Sequence, residues 1–255
     1  MRHIEGEDLR GAHFRDVDMS GAQFREAVLN GVRMRGVELV DADIDGAIYG
    51  LRVNGVEVAP LVEAELNRRH PERALLQDRT VAGLRAALDA YAQMWESTYE
   101  RVASMPAGTV DVSVDDEWSF AQTLRHLVCC TDGWLRWGAQ GRRDADVFWP
   151  AGVPHSQFSS RAGSIGIDPA AAPSYDEVLE VRRQRVQEVR DVLAALTPEE
   201  AGSPAAPPPW MDQSEPFTVG KCIGVVLSEE WEHHSFATRD LDLIDTGAAP
   251  SPEST

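Results

Sequence analysis

The chain has 255 residues, and 24 Lys and Arg against 42 Asp and Glu give it a formal net charge of -18 at pH 7. This balance excludes an obvious nucleic-acid-binding surface, because phosphate contacts need clustered Lys and Arg. Three cysteines, two of them adjacent at Cys129 and Cys130, do not make a disulfide framework, and no apolar run is long enough to span a bilayer. We therefore expect a soluble protein of the reducing cytoplasm, without a signal region and without a membrane partner.

Residues 7–46 repeat with a period of five, which fits neither a helix nor an ordinary strand. The run divides into EDLRG, AHFRD, VDMSG, AQFRE, AVLNG, VRMRG, VELVD and ADIDG. The first place is nearly always small or β-branched, and the third place is always apolar: Leu9, Phe14, Met19, Phe24, Leu29, Met34, Leu39 and Ile44. This pattern resembles the pentapeptide-repeat family. The resemblance implies a short right-handed quadrilateral β-helix of about two coils, with the first and third places pointing into its bore.

The segment that follows the repeats reads as extended, and we assign residues 1–60 to the repeat module. Pro60 then begins a charged helix that ends near Arg69, so residues 61–77 are predicted to bridge two modules. From Val81, apolar residues recur at steps of three and four as far as Met105, which predicts a long amphipathic helix.

Three further helices are predicted from their caps. Ser119 and Ser174 each stand three residues before a Gln or Glu, the pattern of a capping box, and Thr218 can cap a last long helix. Residues 141–173 have no period and form a loop long enough to be functional. Residues 197–216 contain three consecutive prolines and are predicted not to be helical.

Four amphipathic helices joined by loops of varied length predict a four-helix bundle over residues 78–246. Residues 247–255 are predicted to be a disordered tail. The expected fold class is α+β and multidomain, with a quadrilateral β-helix followed by an all-α bundle.

The last predicted helix carries a carboxylate and an imidazole one turn apart. Glu230 and His234 belong to an otherwise apolar stripe, and an inward-facing charge needs a partner or a cation. Glu at i and His at i+4 can reach one metal ion, although such a pair is also common on exposed helix faces. Glu229 and His233 form a second pair in the neighbouring frame, which we place near the solvent. The inward stripe is Ile223, Val226, Glu230, His234, Ala237 and Leu241.

His126 is the candidate for a third ligand. It lies beside an apolar stripe in the second predicted helix of the bundle, where a lone His is also a common hydrogen-bonded core residue. Bundles build metal sites from inward residues of facing helices, and three protein ligands with an open fourth position are typical of a catalytic zinc site. Cys129 and Cys130 follow within about one turn and are weaker candidates, since a Cys in such a helix is often a small core residue.

Two runs of sequence resemble the metal-bearing helices of the DinB-like superfamily. They are EWSFAQTLRHLV at residues 117–128 and EEWEHHSFATRDL at residues 229–241. The resemblance implies a four-helix bundle with a divalent metal, commonly zinc or nickel, held by three residues. The mycothiol-dependent maleylpyruvate isomerase branch has Glu-x-x-x-His in the closing helix, and carried over onto this chain the ligands are His126, Glu230 and His234.

The same resemblance implies chemistry with a low-molecular-weight thiol. A metal- and mycothiol- or bacillithiol-dependent transferase or isomerase, acting on an electrophilic small molecule, is the leading hypothesis. Glu229 and His233 are then candidates for supporting or acid-base groups, and Arg239 and Cys130 are candidates for substrate contact. Isomerase activity itself does not transfer, because the repeat module in front departs from that branch.

A non-catalytic interaction or scaffold protein is the alternative from another class. Acidic pentapeptide-repeat proteins can resemble duplex DNA and protect gyrase, but arginines are mixed among the carboxylates here, and two coils make a short rod. A third interpretation is that the module extends the bundle core or forms the surface of a homodimer.

Overall fold

The structure is a computed structural model that describes residues 3–25, 27–115, 117–152, 168, 170–211 and 216–247. The chain divides into two compact units, Met1–Ile48 and Tyr49–Thr255. This boundary lies before the predicted one at residue 60. The extended segment that follows the repeats belongs to the helical unit. Much of the 141–173 loop and the predicted tail from residue 248 onward lie outside the described residues.

The repeat unit turns every five residues. The last place of each described five has a positive φ, and glycine occupies most of these places because it adopts such angles without steric cost. Asp16 (φ 52°) and Asp41 (φ 55°) take the same conformation where glycine is absent. Backbone hydrogen bonds close three of the described turns, from Ala12 N to Leu9 O, from Ala22 N to Met19 O and from Val32 N to Leu29 O, at 2.9–3.2 Å.

The predicted β-helix is not confirmed for this unit. The described repeat residues contain no strand, and the apolar third-place side chains are exposed, from 43% for Met19 to 63% for Ile44. Each coil of a two-coil solenoid has a neighbour on one side only, so stacking buries little of its apolar surface. The period of five is therefore visible in the backbone but not in a closed core.

The helical unit opens with a hairpin in which β1 (Arg52–Val53) pairs antiparallel with β2 (Val56–Glu57). Asn54 and Gly55 make the turn, both with positive φ, as a tight two-residue hairpin requires. The α-helices that follow are α1 (Ala59–Arg69), α2 (Val81–Ser104), α3 (Phe120–Thr131), α4 (Tyr175–Ala195), α5 (Pro198–Ala201) and α6 (Val219–Asp245). Short 3₁₀ segments occupy Pro71–Gln77 and Thr109–Asp111, and a π-helical segment, Asp132–Ala139, continues α3.

The predicted caps are confirmed. Capping boxes begin α3 at Ser119 and α4 at Ser174, and the Thr218 hydroxyl accepts a hydrogen bond from Lys221 N at the start of α6. The long helices pack as α2 on α6, α3 on α4 and α6, and α4 on α2. Their shared core includes Leu88, Leu135, Val189, Ile223 and Leu227. Within the described residues, no helix combines the length and apolar character needed to cross a membrane.

One sequence prediction is wrong within residues 197–216. Pro198–Ala201 forms the short helix α5, because Thr197 supplies a capping box and proline is tolerated in the first turn. The three consecutive prolines are not helical, as predicted. Strand β3 (Pro204–Ala205) then pairs antiparallel with β4 (Phe217–Thr218) and leads into α6.

Candidate metal centre

Helix α6 carries two Glu–His pairs in adjacent frames, and they lie in different surroundings. Glu229 and His233 meet His126 of α3. Glu230 instead contacts α4, and His234 contacts α2. Neighbouring residues of a helix point about 100° apart, so one face cannot hold both pairs. The cluster that contains His126 is therefore His126, Glu229 and His233.

The three side chains of this cluster converge on a small volume. Glu229 Oε2 lies 3.2 Å from His126 Nε2 and 3.1 Å from His233 Nε2, and all three candidate ligand atoms lie within 4.8 Å of one another. Tetrahedral zinc with bonds of about 2.1 Å places its nitrogen and oxygen ligands about 3.4 Å apart. The two separations from Glu229 are close to that value, so the residues present fit a divalent ion.

The electrostatics of Glu229 match a site for a cation. Burial alone would raise the pKa of Glu229, but hydrogen bonds from His126 and His233 outweigh it and hold the pKa well below its usual range. The Glu229 side chain is 27% exposed, against 12% for His126 and 15% for His233. The carboxylate is therefore ionised and reachable from solvent, while the imidazoles are more enclosed.

Aromatic side chains hold the two imidazoles in place. The Trp118 ring lies 4.6 Å from the His126 ring, and it stacks on His233 at 5.9 Å with an angle of 16°. Phe236 meets His233 edge-on at 5.7 Å. This packing restricts rotation of both rings, so the Nε2 atoms stay directed at Glu229. The sequence did not predict this role for Trp118, although it immediately precedes the Ser119 cap.

Cys130 also reaches the cluster. Its Sγ lies 3.1 Å from His126 Nε2, because residues four apart on α3 share a face. Burial is the main reason that the pKa of the Cys130 thiol is raised well above its usual value. Cys129 points elsewhere, into a small apolar cluster with Val147, Phe148 and Ala151.

The structure places Glu230 away from His126, in contrast to the ligand set that the sequence predicted. Glu230 is 4% exposed, so it is inward as expected, but its Oε2 accepts a short hydrogen bond from Arg182 Nη2. Desolvation raises the pKa of Glu230, and Arg182 opposes that shift. The signal for this pair was present in the sequence, since Arg182 occupies the inward place between Val178 and Val186 on α4.

His234 is likewise not part of the cluster. Its Nε2 lies 2.9 Å from Thr98 Oγ1, and its ring meets the Trp95 ring edge-on at 5.0 Å. Burial lowers the pKa of His234. The side chain lines an open groove of about 660 Å³ on another side of α6, shared with His70 and Trp231. This groove is separate from the His126 cluster.

Arg239 forms ion pairs near the end of α6. Its guanidinium contacts Glu117 at 2.7 Å and Asp240 at 2.8 Å, and the side chain is 42% exposed. The sequence predicted Arg239 as a candidate for substrate contact, whereas the structure shows it in ion pairs with Glu117 and Asp240. The described contacts of Arg239 do not include the three cluster residues.

Comparison with known families agrees with this architecture. A family model described as the DinB superfamily matches residues 90–237, and a model for pentapeptide repeats matches residues 8–46 with eight copies. Searches of curated proteins and of solved structures found no match. The DinB match covers more than half of the chain and includes all three residues of the cluster. The chain therefore belongs to the DinB superfamily and carries pentapeptide repeats before its helical domain.

Proposed function

We propose that the helical domain is a four-helix bundle that binds one divalent metal ion through His126 Nε2, Glu229 Oε2 and His233 Nε2. The observation that carries the proposal is the convergence of these atoms at 3.1–3.2 Å around the Glu229 carboxylate. Two imidazoles and a carboxylate suit borderline cations, so zinc or nickel is favoured over magnesium or calcium.

The metal site supports chemistry on a low-molecular-weight thiol. A divalent ion held there would stabilise a thiolate or polarise a carbonyl at neutral pH. The chain's own contributions are the fixed imidazoles, the Trp118 ring beside them and the partly exposed approach along Glu229. We infer a mycothiol- or bacillithiol-type co-substrate and a transfer or isomerisation of an electrophilic small molecule.

The Glu-x-x-x-His spacing that supports this assignment occurs in both frames of α6. Glu229 and His233 have the same spacing as Glu230 and His234, so moving the ligand set by one residue keeps the likeness to the mycothiol-dependent branch. The net charge of -18 favours a small-molecule partner over nucleic acid.

The metal content of matched variants distinguishes the two candidate ligand pairs, Glu229 with His233 and Glu230 with His234. Protein purified without a metal-affinity tag is analysed for metal, and His233→Ala is compared with His234→Ala, and Glu229→Gln with Glu230→Gln. We expect about one zinc or nickel per chain in the wild type. It should be lost in the variants at 229 and 233 and retained in those at 230 and 234. Circular dichroism checks that all four variants remain helical.

Wild-type protein that holds no metal and refuses added zinc would overturn the proposed site. Metal loss only at 230 and 234 would restore the ligand set predicted from the sequence. The thiol is tested by calorimetric titration of the zinc-loaded protein with mycothiol, with S-methylated mycothiol as the control because it cannot form a thiolate. Equal binding of both compounds, or of neither, would contradict thiol activation at the metal.

A further inference from the structure

The sulfur of Cys130 lies beside His126, one of the three proposed ligands. His126 Nε2 is 3.1 Å from Cys130 Sγ and 3.2 Å from Glu229 Oε2. An imidazole nitrogen carries either one hydrogen or one lone pair, so it cannot make two good hydrogen bonds in different directions. Donor atoms grouped around one nitrogen in this way are expected when all of them surround a common cation.

We propose that Cys130 Sγ is a fourth protein ligand of the metal centre, which makes the complete set His126, Cys130, Glu229 and His233. This inference rests on the proposed metal site. Zinc bonds of about 2.3 Å to sulfur and about 2.05 Å to nitrogen place the two ligand atoms about 3.6 Å apart in a tetrahedron. The observed distance of 3.1 Å between Cys130 Sγ and His126 Nε2 must increase by about 0.5 Å, and rotation of the Cys130 side chain supplies this change.

Cys130 is buried, whereas Glu229 is partly open to solvent. The residue is 6% exposed, whereas the Glu229 side chain is 27% exposed. As the sulfur–metal bond forms, the thiol proton leaves to solvent, so the site gains one negative charge from sulfur. Ligation therefore satisfies a buried thiol and leaves the Glu229 side as the face that solvent and substrates reach.

A sulfur ligand changes what the centre selects and how it reacts. Thiolate favours zinc and cobalt over hard cations such as magnesium and manganese. Four protein ligands also fill a tetrahedral coordination shell, which is typical of closed sites. An external thiol must then add as a fifth ligand on the Glu229 side or displace Cys130, so Cys130 controls access of the co-substrate to the metal.

Cobalt spectroscopy tests the sulfur ligand directly. The metal-free full-length protein is titrated with Co²⁺, and the near-ultraviolet spectrum is recorded for the wild type, Cys130→Ser and Cys129→Ser. We expect a sulfur-to-cobalt charge-transfer band in the wild type that disappears in Cys130→Ser. It should persist in Cys129→Ser, since that adjacent buried thiol faces Val147 and Phe148. Zinc affinity of Cys130→Ser should fall by about tenfold or more.

The outcomes separate this inference from the site on which it rests. Wild-type protein that binds cobalt, seen in its visible bands, without a sulfur charge-transfer band overturns the role of Cys130 and leaves the three-ligand site intact. No cobalt binding at all overturns both. If Cys130→Ser fails to fold, Cys130→Ala and the wild-type spectrum still decide, because the band itself reports the sulfur–metal bond.

Discussion

Removal of either member of the Arg182–Glu230 pair should destabilise the protein strongly. Arg182 is 1% exposed and Glu230 is 4% exposed, and the guanidinium donates through Nη2 to the carboxylate. Arg182 also lies over the Trp95 ring at 5.9 Å. Among the residues that the structure describes, Arg182 Nε and Nη1 have no hydrogen-bond partner. The pair is thus buried but incompletely satisfied.

The magnitude follows from these contacts. Arg182→Met or Glu230→Leu leaves one buried charge unpaired, which costs about 3–5 kcal/mol. For a domain of this size that corresponds to a fall in Tm of about 6–20 °C. In the double variant both charges disappear together with the two unsatisfied donors, each of which costs about 1–3 kcal/mol. We therefore expect the double variant to be within about 1 kcal/mol of the wild type, or more stable.

Urea denaturation of the wild type, both single variants and the double variant measures the coupling energy. The measurement is made with chelator present, so that bound metal does not contribute to the free energy of unfolding. The exposed pair Arg239–Glu117 supplies a matched control, since Arg239→Met should cost less than about 1 kcal/mol. Single variants of the buried pair that cost no more than this control would refute the reasoning.

Two further predictions concern ion pairs outside the candidate metal cluster. Asp132 is fully buried and accepts hydrogen bonds from Arg185 Nε at 2.5 Å and from Trp149 N at 2.8 Å, so Asp132→Ala should cost about 3–5 kcal/mol. Urea unfolding measures this, and a loss below about 1 kcal/mol would contradict it. Arg73 holds the pKa of Glu63 below its usual value, so the pair stabilises the fold above pH 4.5 and loses its effect as pH falls through the folded pKa. Because the Glu63 side chain is 49% exposed, Glu63→Gln should cost under about 1 kcal/mol at pH 7. The free energies of unfolding of the variant and the wild type should converge in acid. A difference between them that stays constant with pH would exclude the pair as the cause.

The sequence predicted the helices well because their signals are local. Steps of three and four, together with the Ser119, Ser174 and Thr218 caps, depend on residues within about one turn of each other. The burial of the repeat unit was harder to predict, because the period of five specifies where the chain turns but not how many coils stack. The third-place side chains of the repeats are exposed, so the period of five did not predict their burial.

The sequence of α6 alone could not show which Glu–His pair belongs to the candidate metal cluster. Glu229 with His233 and Glu230 with His234 have identical spacing, so residues on facing helices decide between them. Arg182 is the deciding residue for Glu230, and it was visible as a charged interruption of the α4 stripe. The sequence pointed to His126 as the third member, because bundles build metal sites from inward residues of facing helices.

The two adjacent glutamates of α6 differ in the groups that balance their charge. Glu230 is compensated by a guanidinium, which carries its charge at every physiological pH and belongs to the chain. Glu229 is surrounded by the imidazoles of His126 and His233, which give a carboxylate a full positive charge only when protonated and bind a metal only when neutral. The proposed metal ion would supply the cation that balances Glu229 when both imidazoles bind it in their neutral form. The same helix thus carries one carboxylate that pairs with an arginine of the chain and, one residue earlier, one that faces the two imidazoles of the proposed metal site.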